Sequence, residues 1–363
     1  MMTDEGPTRR KDSGLAGAVL TFVRLVLVAA AVPCVTGRLG SGILEALCSP
    51  WVFQFGLIFV FSTLVLAAVH AWRRTNPLVD LAVALPLAIW AGVVFVAPFR
   101  AGSTMVDASA SASGPTIRVV LANLHYQGLP TPEAIAWFES IDADLLVLEE
   151  LSPAWAEALS EIRDASASSA WHPESDASGI GVISRLPMTA VRMRPRERGA
   201  FPGIEATIDL GGRSVRLFAV HPIPPINRAA VAGRNAALAA LAQEIAALDG
   251  GSAAVIVLGD LNETPWGSAM RSLLETSGLR TAREGFGRTP TWPARLRSSV
   301  NRVPRFLMIP IDHCLVSPEI RVTSFRTGPA VGSDHLPIVA DLSLGGAANS
   351  DQQHDLSTRA TQP

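Results

Sequence analysis

Residues 259–266 read GDLNETPW, and the run before them, AAVIVL (253–258), is short, apolar and rich in β-branched side chains, the pattern of a buried strand. Asp260 and Asn262 stand two apart, so on an extended chain they point to one side and set a carboxylate beside an amide at the strand's C-terminal end. Similar endings recur along the chain. IRVVLANL (117–124) carries Asn123, DLLVLEEL (144–151) carries Glu149 and Glu150, and VRLFAVHP (215–222) carries His221. IDHCLVS (311–317) opens on Asp312, and SDH (333–335) sets Ser333, Asp334 and His335 just before LPIVADLSL (336–344). Apolar runs that repeatedly end in Asn, Asp, Glu or His predict a site assembled from strand ends on a rigid scaffold. Carboxylates and amides without cysteine suit a hard divalent cation, Mg²⁺ or Mn²⁺. Histidines beside carboxylates suit proton transfer, or donation to a phosphate oxygen. Those are the parts that phosphate-ester hydrolysis requires: charge neutralised on the phosphoryl oxygens, and a polarised base for water.

The elements that must position these groups alternate in type. GIGVIS (179–184) and GIEATIDL (203–210) are two further strand-like runs. Helical patterns lie at 131–141, 152–164, 228–248 and 267–279, with Ser152 as cap and Pro153 at the first helical position of the second. Many strands with helices between them predict a mixed α/β domain on two packed sheets or one large sheet. Arg234, inside the Ala/Leu-rich helix 228–248, reads as part of a solvated face. His125 and His313 read as structural groups satisfying local hydrogen bonds, and Cys314 as a small buried hydrophobe. The tail 345–363 lacks apolar periodicity and is expected to be disordered.

Ahead of this domain the composition changes. The chain of 363 residues is 48% hydrophobic with mean hydropathy +0.30, and the excess sits at the front. Runs 15–35, 51–72 and 78–99 are each about the 20 residues a helix needs to cross a bilayer. They predict a 15–100 segment of three transmembrane helices, after a cytoplasmic tail at 1–14 and before a small-residue linker at 101–115. Basic residues at 9–11 and at Arg73 and Arg74 place those ends in the cytoplasm, and everything after Phe99 outside. Arg24, in the first span, is expected to snorkel towards the cytoplasmic surface rather than face the bundle interior. Cys34 and Cys48 flank the outer loop and could pair in an oxidising compartment; the three cysteines show no metal-ligand spacing. Net charge is −2 and Lys11 is the only lysine, so charge gives no support for broad nucleic-acid binding.

From about 116 to 344 the chain resembles the endonuclease/exonuclease/phosphatase superfamily, whose relatives include DNase I and sphingomyelinases. The resemblance rests on six motifs in the family's order: Asn123, the LEE strand end, His221, GDLN, IDH and SDH. It implies a four-layer α/β sandwich, two packed β-sheets flanked by helices, and hydrolysis without a covalent intermediate. Carried over residue by residue, Glu150 and Asn123 would hold the metal, with Asp334 beside it. Asp260, helped by Asn262, would orient or deprotonate water. His335, held by Asp312, would contact the scissile phosphate, and His221 would act as a phosphate contact or acid. Two departures stand out. Glu149 occupies the usual Gln position, which leaves Glu149 and Glu150 both open as the metal ligand, and Tyr126 is the chain's only tyrosine, which weakens a DNase reading.

The architecture, with HPIPP (221–225), is also similar to the teicoplanin-resistance membrane proteins of actinobacteria, a type linked to polyprenyl-pyrophosphate hydrolysis. That likeness implies a multi-pass cell-membrane protein with an extracytoplasmic catalytic domain and a lipid-linked phosphate or pyrophosphate as substrate. An extracytoplasmic nuclease or phosphodiesterase is the runner-up. A non-catalytic membrane sensor or scaffold is the third reading.

Overall fold

The computed structural model describes residues 7–39, 42–96, 115–196, 199–248, 254–295 and 302–344. The tail at 345–363 and all but the last residue of the expected linker lie outside them.

The N-terminal part is helical. It comprises α1 (Pro7–Leu39), a short α2 (Ile43–Cys48) with a 3-10 turn at Ser49–Trp51, α3 (Val52–Arg73) and α4 (Leu78–Val96). The 1–14 segment, read as a tail, is helical from Pro7. Two stretches, Gly14–Val32 and Ile43–Arg73, are long and apolar enough to cross a membrane, and Leu78–Val93 is a shorter apolar helix. Leu27, Phe59, Leu66 and Ala84 pack the three long helices together. Arg24 does not simply reach for water. Its Nε and Nη2 donate to both oxygens of Asp80, at 2.9 and 2.8 Å, and His70 Nε2 shares the same carboxylate at 2.8 Å. Asp80 lies in the first turn of α4 and His70 in the last turn of α3, so the pairing sets Arg24 level with the Arg73–Arg74 end of the bundle. Cys48 forms no disulfide among the described residues, and the side chain of Cys34, its candidate partner, lies outside them.

The second part is a sandwich of two six-stranded sheets. Its strands are β1 (Thr116–Asn123), β2 (Leu145–Glu149), β3 (Ser168–His172), β4 (Ile180–Ser184), β5 (Met188–Arg194), β6 (Gly203–Asp209), β7 (Ser214–Ala219), β8 (Ala254–Asp260), β9 (Arg280–Thr281), β10 (Asp312–Val316), β11 (Ile320–Thr327) and β12 (Ile338–Leu344). One sheet runs β11-β12-β1-β2-β4-β3 and the other β5-β6-β7-β8-β10-β9. Helices α5 (Pro132–Ser140), α6 (Pro153–Ala158) and α7 (Ser160–Asp164) belong to the first sheet's side; α8 (Arg228–Ala246) and α9 (Ser268–Ser277) cover the second.

Strand alternation builds the layers. In β1, Val119 and Leu121 enter the core between the sheets, while Val120 and Ala122 face Phe138 of α5 and Trp155 of α6. In β8, Ile256 and Leu258 enter the same central core, while Val255 and Val257 meet Leu238 and Leu241 of α8. Both faces of these strands are therefore buried, which is why they read as continuous apolar runs. Cys314 sits in the central core, remote from any ligand role.

Candidate active site

Register gathers the polar strand ends at one end of the sandwich. β1 and β2 run parallel with Asn123 opposite Glu149, and β10 runs antiparallel to β8 with Asp312 opposite Asp260. β12 runs antiparallel to β1, which brings the preceding Ser333–Asp334–His335 loop to the same end. Glycine at 259 is a requirement of this packing, because a Cβ there would fall 1.9 Å from the carbonyl oxygen of Val220.

The histidine and carboxylate geometry is close-knit. His335 Nδ1 lies 3.0 and 3.2 Å from the two oxygens of Asp312, and its Nε2 is 3.7 Å from Asp260 Oδ2. His221 Nε2 approaches the same Asp260 oxygen at 3.8 Å. Ligand atoms of Asp260, Asp312 and His335 all lie within 4.8 Å of one another, close enough to hold a metal ion. Burial opposes charge on Asp312, but attraction to His335 and their hydrogen bond outweigh it and hold Asp312 below the ordinary carboxylate range. Burial likewise opposes charge on His335, and Asp312 and Asp260 more than compensate, raising it well above an ordinary imidazole. Asp260 is pushed up to about 8, first by burial and then by Asp312, against the pull of His335. Burial lowers His221 to about 4, so it is neutral near pH 7.

The second cluster borders the first. Asn123 Nδ2 donates to Glu150 Oε1 at 3.1 Å and lies 3.4 Å from Asp260 Oδ2. Glu150 Oε2 accepts the Tyr126 backbone N–H at 3.0 Å. Backbone, not alternation, sets the two glutamates apart. β2 ends at Glu149, and Glu150 adopts φ 52°, which turns its side chain into the cavity. Glu149 is fully buried and accepts the Asp260 backbone N–H at 2.8 Å; burial, then the charge of Asp260, raise it well above an ordinary carboxyl. Asn262 corrects a second expectation. The strand stops at Asp260 and Asn262 has φ 49°, so the two side chains do not share a face. Instead, Asn262 N–H donates to Asp260 Oδ1 at 2.9 Å and its Nδ2 reaches the Pro222 carbonyl at 3.0 Å.

Several contributors were not anticipated. Arg234 is 2% exposed rather than solvated: its Nη1 donates to the Asn262 carbonyl at 2.5 Å and its Nη2 to Glu263 at 2.8 Å. A signal for it existed, since Val231, Arg234, Leu238, Leu241 and Ile245 form one helical stripe. His125 lies in the cavity, 3.5 Å from Asp334 and 3.8 Å from Glu150, whereas His313 bonds the Glu263 carbonyl at 2.9 Å from a fully buried position. Trp292 Nε1 donates to Asp334 Oδ2 at 3.0 Å, and the buried Arg283 donates to the Asp312 carbonyl at 2.5 Å.

These groups fit a hard divalent cation. Among the described residues, carboxylate, amide and imidazole converge without a thiol, and Asp334 Oδ1 is buried with no hydrogen-bond partner. The sequence profile described as "Endonuclease/Exonuclease/phosphatase family" matches residues 122–335, more than half of the chain. The chain belongs to this family. Family members hydrolyse phosphoester bonds and use divalent metals. Among solved structures, the TDP2 of D. rerio, complexed with a single-strand DNA product, shares 17% identity over 63% of this chain and 99% of its own, with a TM-score of 0.52. An endonuclease/exonuclease/phosphatase from Beutenbergia cavernae DSM 12333 shares 20% identity over 64% of this chain and 72% of its own, with a TM-score of 0.48. Sphingomyelinase C from Streptomyces griseocarneus shares 15% over 62% and 99%, with a TM-score of 0.45. No curated protein matches the chain.

Proposed function

We propose that this chain is an Mg²⁺- or Mn²⁺-dependent hydrolase anchored in the cell membrane, acting outside it on a lipid-linked phosphate or pyrophosphate. The observation that carries the reading is the clamp between the apolar helices and the catalytic sandwich. Buried Glu45 of α2 accepts the Ser268 backbone N–H at 2.6 Å and its hydroxyl at 2.7 Å. A carboxylate there also faces the positive N-terminal end of α9. Gln54 Nε2 donates to the Phe306 carbonyl at 2.9 Å, and the Arg288 guanidinium sits 4.1 Å from the Phe53 ring centroid. All of these contacts lie where α1 gives way to α3, whereas Arg73 and Arg74 close the far end of α3, about 33 Å away for its 22 residues. With the arginine pair in the cytoplasm, the sandwich is held at the outer surface.

In this reading Glu150, Asn123 and Asp334 would hold the metal, which when bound would neutralise charge on the phosphoryl oxygens. Asp260, steered by the Asn262 N–H, orients water and takes its proton. His335, fixed by Asp312, and His221 contact the phosphoryl group. The test is phosphate release from undecaprenyl pyrophosphate by the full-length protein, with plasmid nicking in parallel, each with Mg²⁺ and with EDTA. Mg²⁺-dependent release without nicking is expected. Nicking without release would replace this reading with the nuclease one, and neither activity would favour a sensor or scaffold.

A further inference from the structure

The catalytic groups do not open onto bare solvent. They share one cavity of about 390 Å³ with Ala46, Leu47, Pro50 and Trp51, all from the connector between the apolar helices α1 and α3. Pro224, Pro225 and Ile226, from the loop between β7 and α8, line the same cavity. The connector and this loop give the lining an apolar part, which shares the cavity with the carboxylates and imidazoles. Leu47 and Ile226 are 56% and 79% exposed, large apolar side chains left uncovered by the described residues.

Resting on the lipid-phosphate reading above, we infer that Leu47, Pro50, Trp51 and Ile226 form the subsite for the hydrocarbon chain of the substrate, binding the carbons next to its phosphate. Three observations favour that occupant. First, the apolar and the polar residues line one cavity, so a single ligand touching both must be amphiphilic. Second, the wall forms the N-terminal end of one stretch long and apolar enough to span a bilayer, Ile43–Arg73, and follows the other, Gly14–Val32, so in this reading the cavity lies at the level where lipid headgroups would sit. Third, the wall lacks what a polyanionic chain needs. Arg234 is the only Arg or Lys among the described lining residues, and its guanidinium is already engaged by Glu263 and the Asn262 carbonyl. The volume admits a phosphate end and a few carbons, not an entire long chain, so the rest of the hydrocarbon stays in the membrane. The Glu45–Ser268 contact then has a second consequence: it fixes the connector against the sandwich, which keeps the apolar wall in register with the catalytic groups.

The test uses the full-length protein in detergent with Mg²⁺ and prenyl pyrophosphates of five, fifteen and fifty-five carbons. Wild type is expected to gain in kcat/KM between five and fifteen carbons. The variant Leu47→Ser/Ile226→Ser changes two exposed side chains. It should raise KM about tenfold at fifteen and fifty-five carbons, equivalent to about 1.4 kcal/mol of binding, with kcat within twofold and thermal unfolding unchanged. An unchanged KM on the long substrates, or a loss confined to kcat, would overturn the subsite while leaving the lipid reading intact. A wild-type protein that hydrolyses no prenyl pyrophosphate would overturn the lipid reading itself, and the subsite with it.

Discussion

Arg234→Met is the substitution whose cost the structure specifies most directly. Arg234 and Glu263 side chains are each about 3% exposed and pair at 2.8 Å. Burial raises the Glu263 pKa, and the Arg234 charge is the main force opposing that rise. Methionine keeps the apolar stem within the α8 stripe but leaves Glu263 buried without its cation. Breaking a buried pair from one side costs about 3–5 kcal/mol, which for a domain of this size lowers the unfolding midpoint by roughly 6–20 °C. Turnover should fall as well, because Arg234 also holds the Asn262 carbonyl and so the left-handed turn that follows Asp260. The control is Arg234→Met/Glu263→Gln. Glutamine still accepts the Thr264 N–H, made by Glu263 Oε1 at 2.8 Å, but carries no charge to strand. Circular dichroism melts of the full-length protein in detergent should show the double variant recovering at least half the loss. A single variant that melts within 2 °C of wild type (the shift expected of under about 1 kcal/mol), or a double variant no better than the single, would show that the pair is not what holds this turn.

Other expectations follow from the same geometry. Asp260→Ala and His335→Ala should each abolish Mg²⁺-dependent turnover while the far-ultraviolet circular dichroism stays that of wild type; near-wild-type rates in either would remove the assignment. A reporter fused to the C-terminus should be active only outside the cytoplasm, and cytoplasmic activity would reverse the orientation. Burial holds His313 at about 3, against about 6.5 in the unfolded chain, so the unfolded state binds the extra proton. The stability involved is complete above pH 6.5 and drains away as pH falls towards 3, by about 2 kcal/mol at pH 5. Melts at pH 7.5 and 5 should therefore differ less in His313→Gln than in wild type, and an equal difference would mean that His313 is not buried neutral.

Where the chain could be read in advance, and where it could not, follows strand by strand. The eight strands legible as apolar runs are those with partners on both sides. The four that were not, SSAWH (β3), MTAVRMR (β5), RT (β9) and IRVTSFRT (β11), are the four edges of the two sheets. An edge strand is half wet and often charged, which protects it from pairing with another chain and also erases the apolar signal that marks a strand. The connector 43–51 was hidden for a different reason. Six helical residues and one 3-10 turn are too short to show a period, and their role is set by what they touch 200 residues later.

The site was legible in its residue types and illegible in its geometry. Asn123, Glu149, Glu150, His221, Asp260, Asn262, Asp312, Asp334 and His335 could be named as candidates, with both glutamates left open, because strands that end in polar groups are conspicuous against apolar runs. How those groups are aimed depends on two residues that leave extended geometry, Glu150 at φ 52° and Asn262 at φ 49°. Alternation cannot foresee a left-handed residue, and neither position is glycine. Both are held there by contacts remote in sequence. Glu150 is met by Asn123 and the Tyr126 N–H, and Asn262 by Arg234 and Pro222. A non-glycine residue at positive φ costs free energy, and it persists only where surrounding bonds over-determine it. Two of the positions where that cost is borne turn a carboxylate and an amide away from their strands at this end of the sandwich. Arg234 belongs to the same logic. A charged residue in an apolar stripe looks like an interruption of the helix's packing face, but its buried cation is what keeps the second of those turns in place.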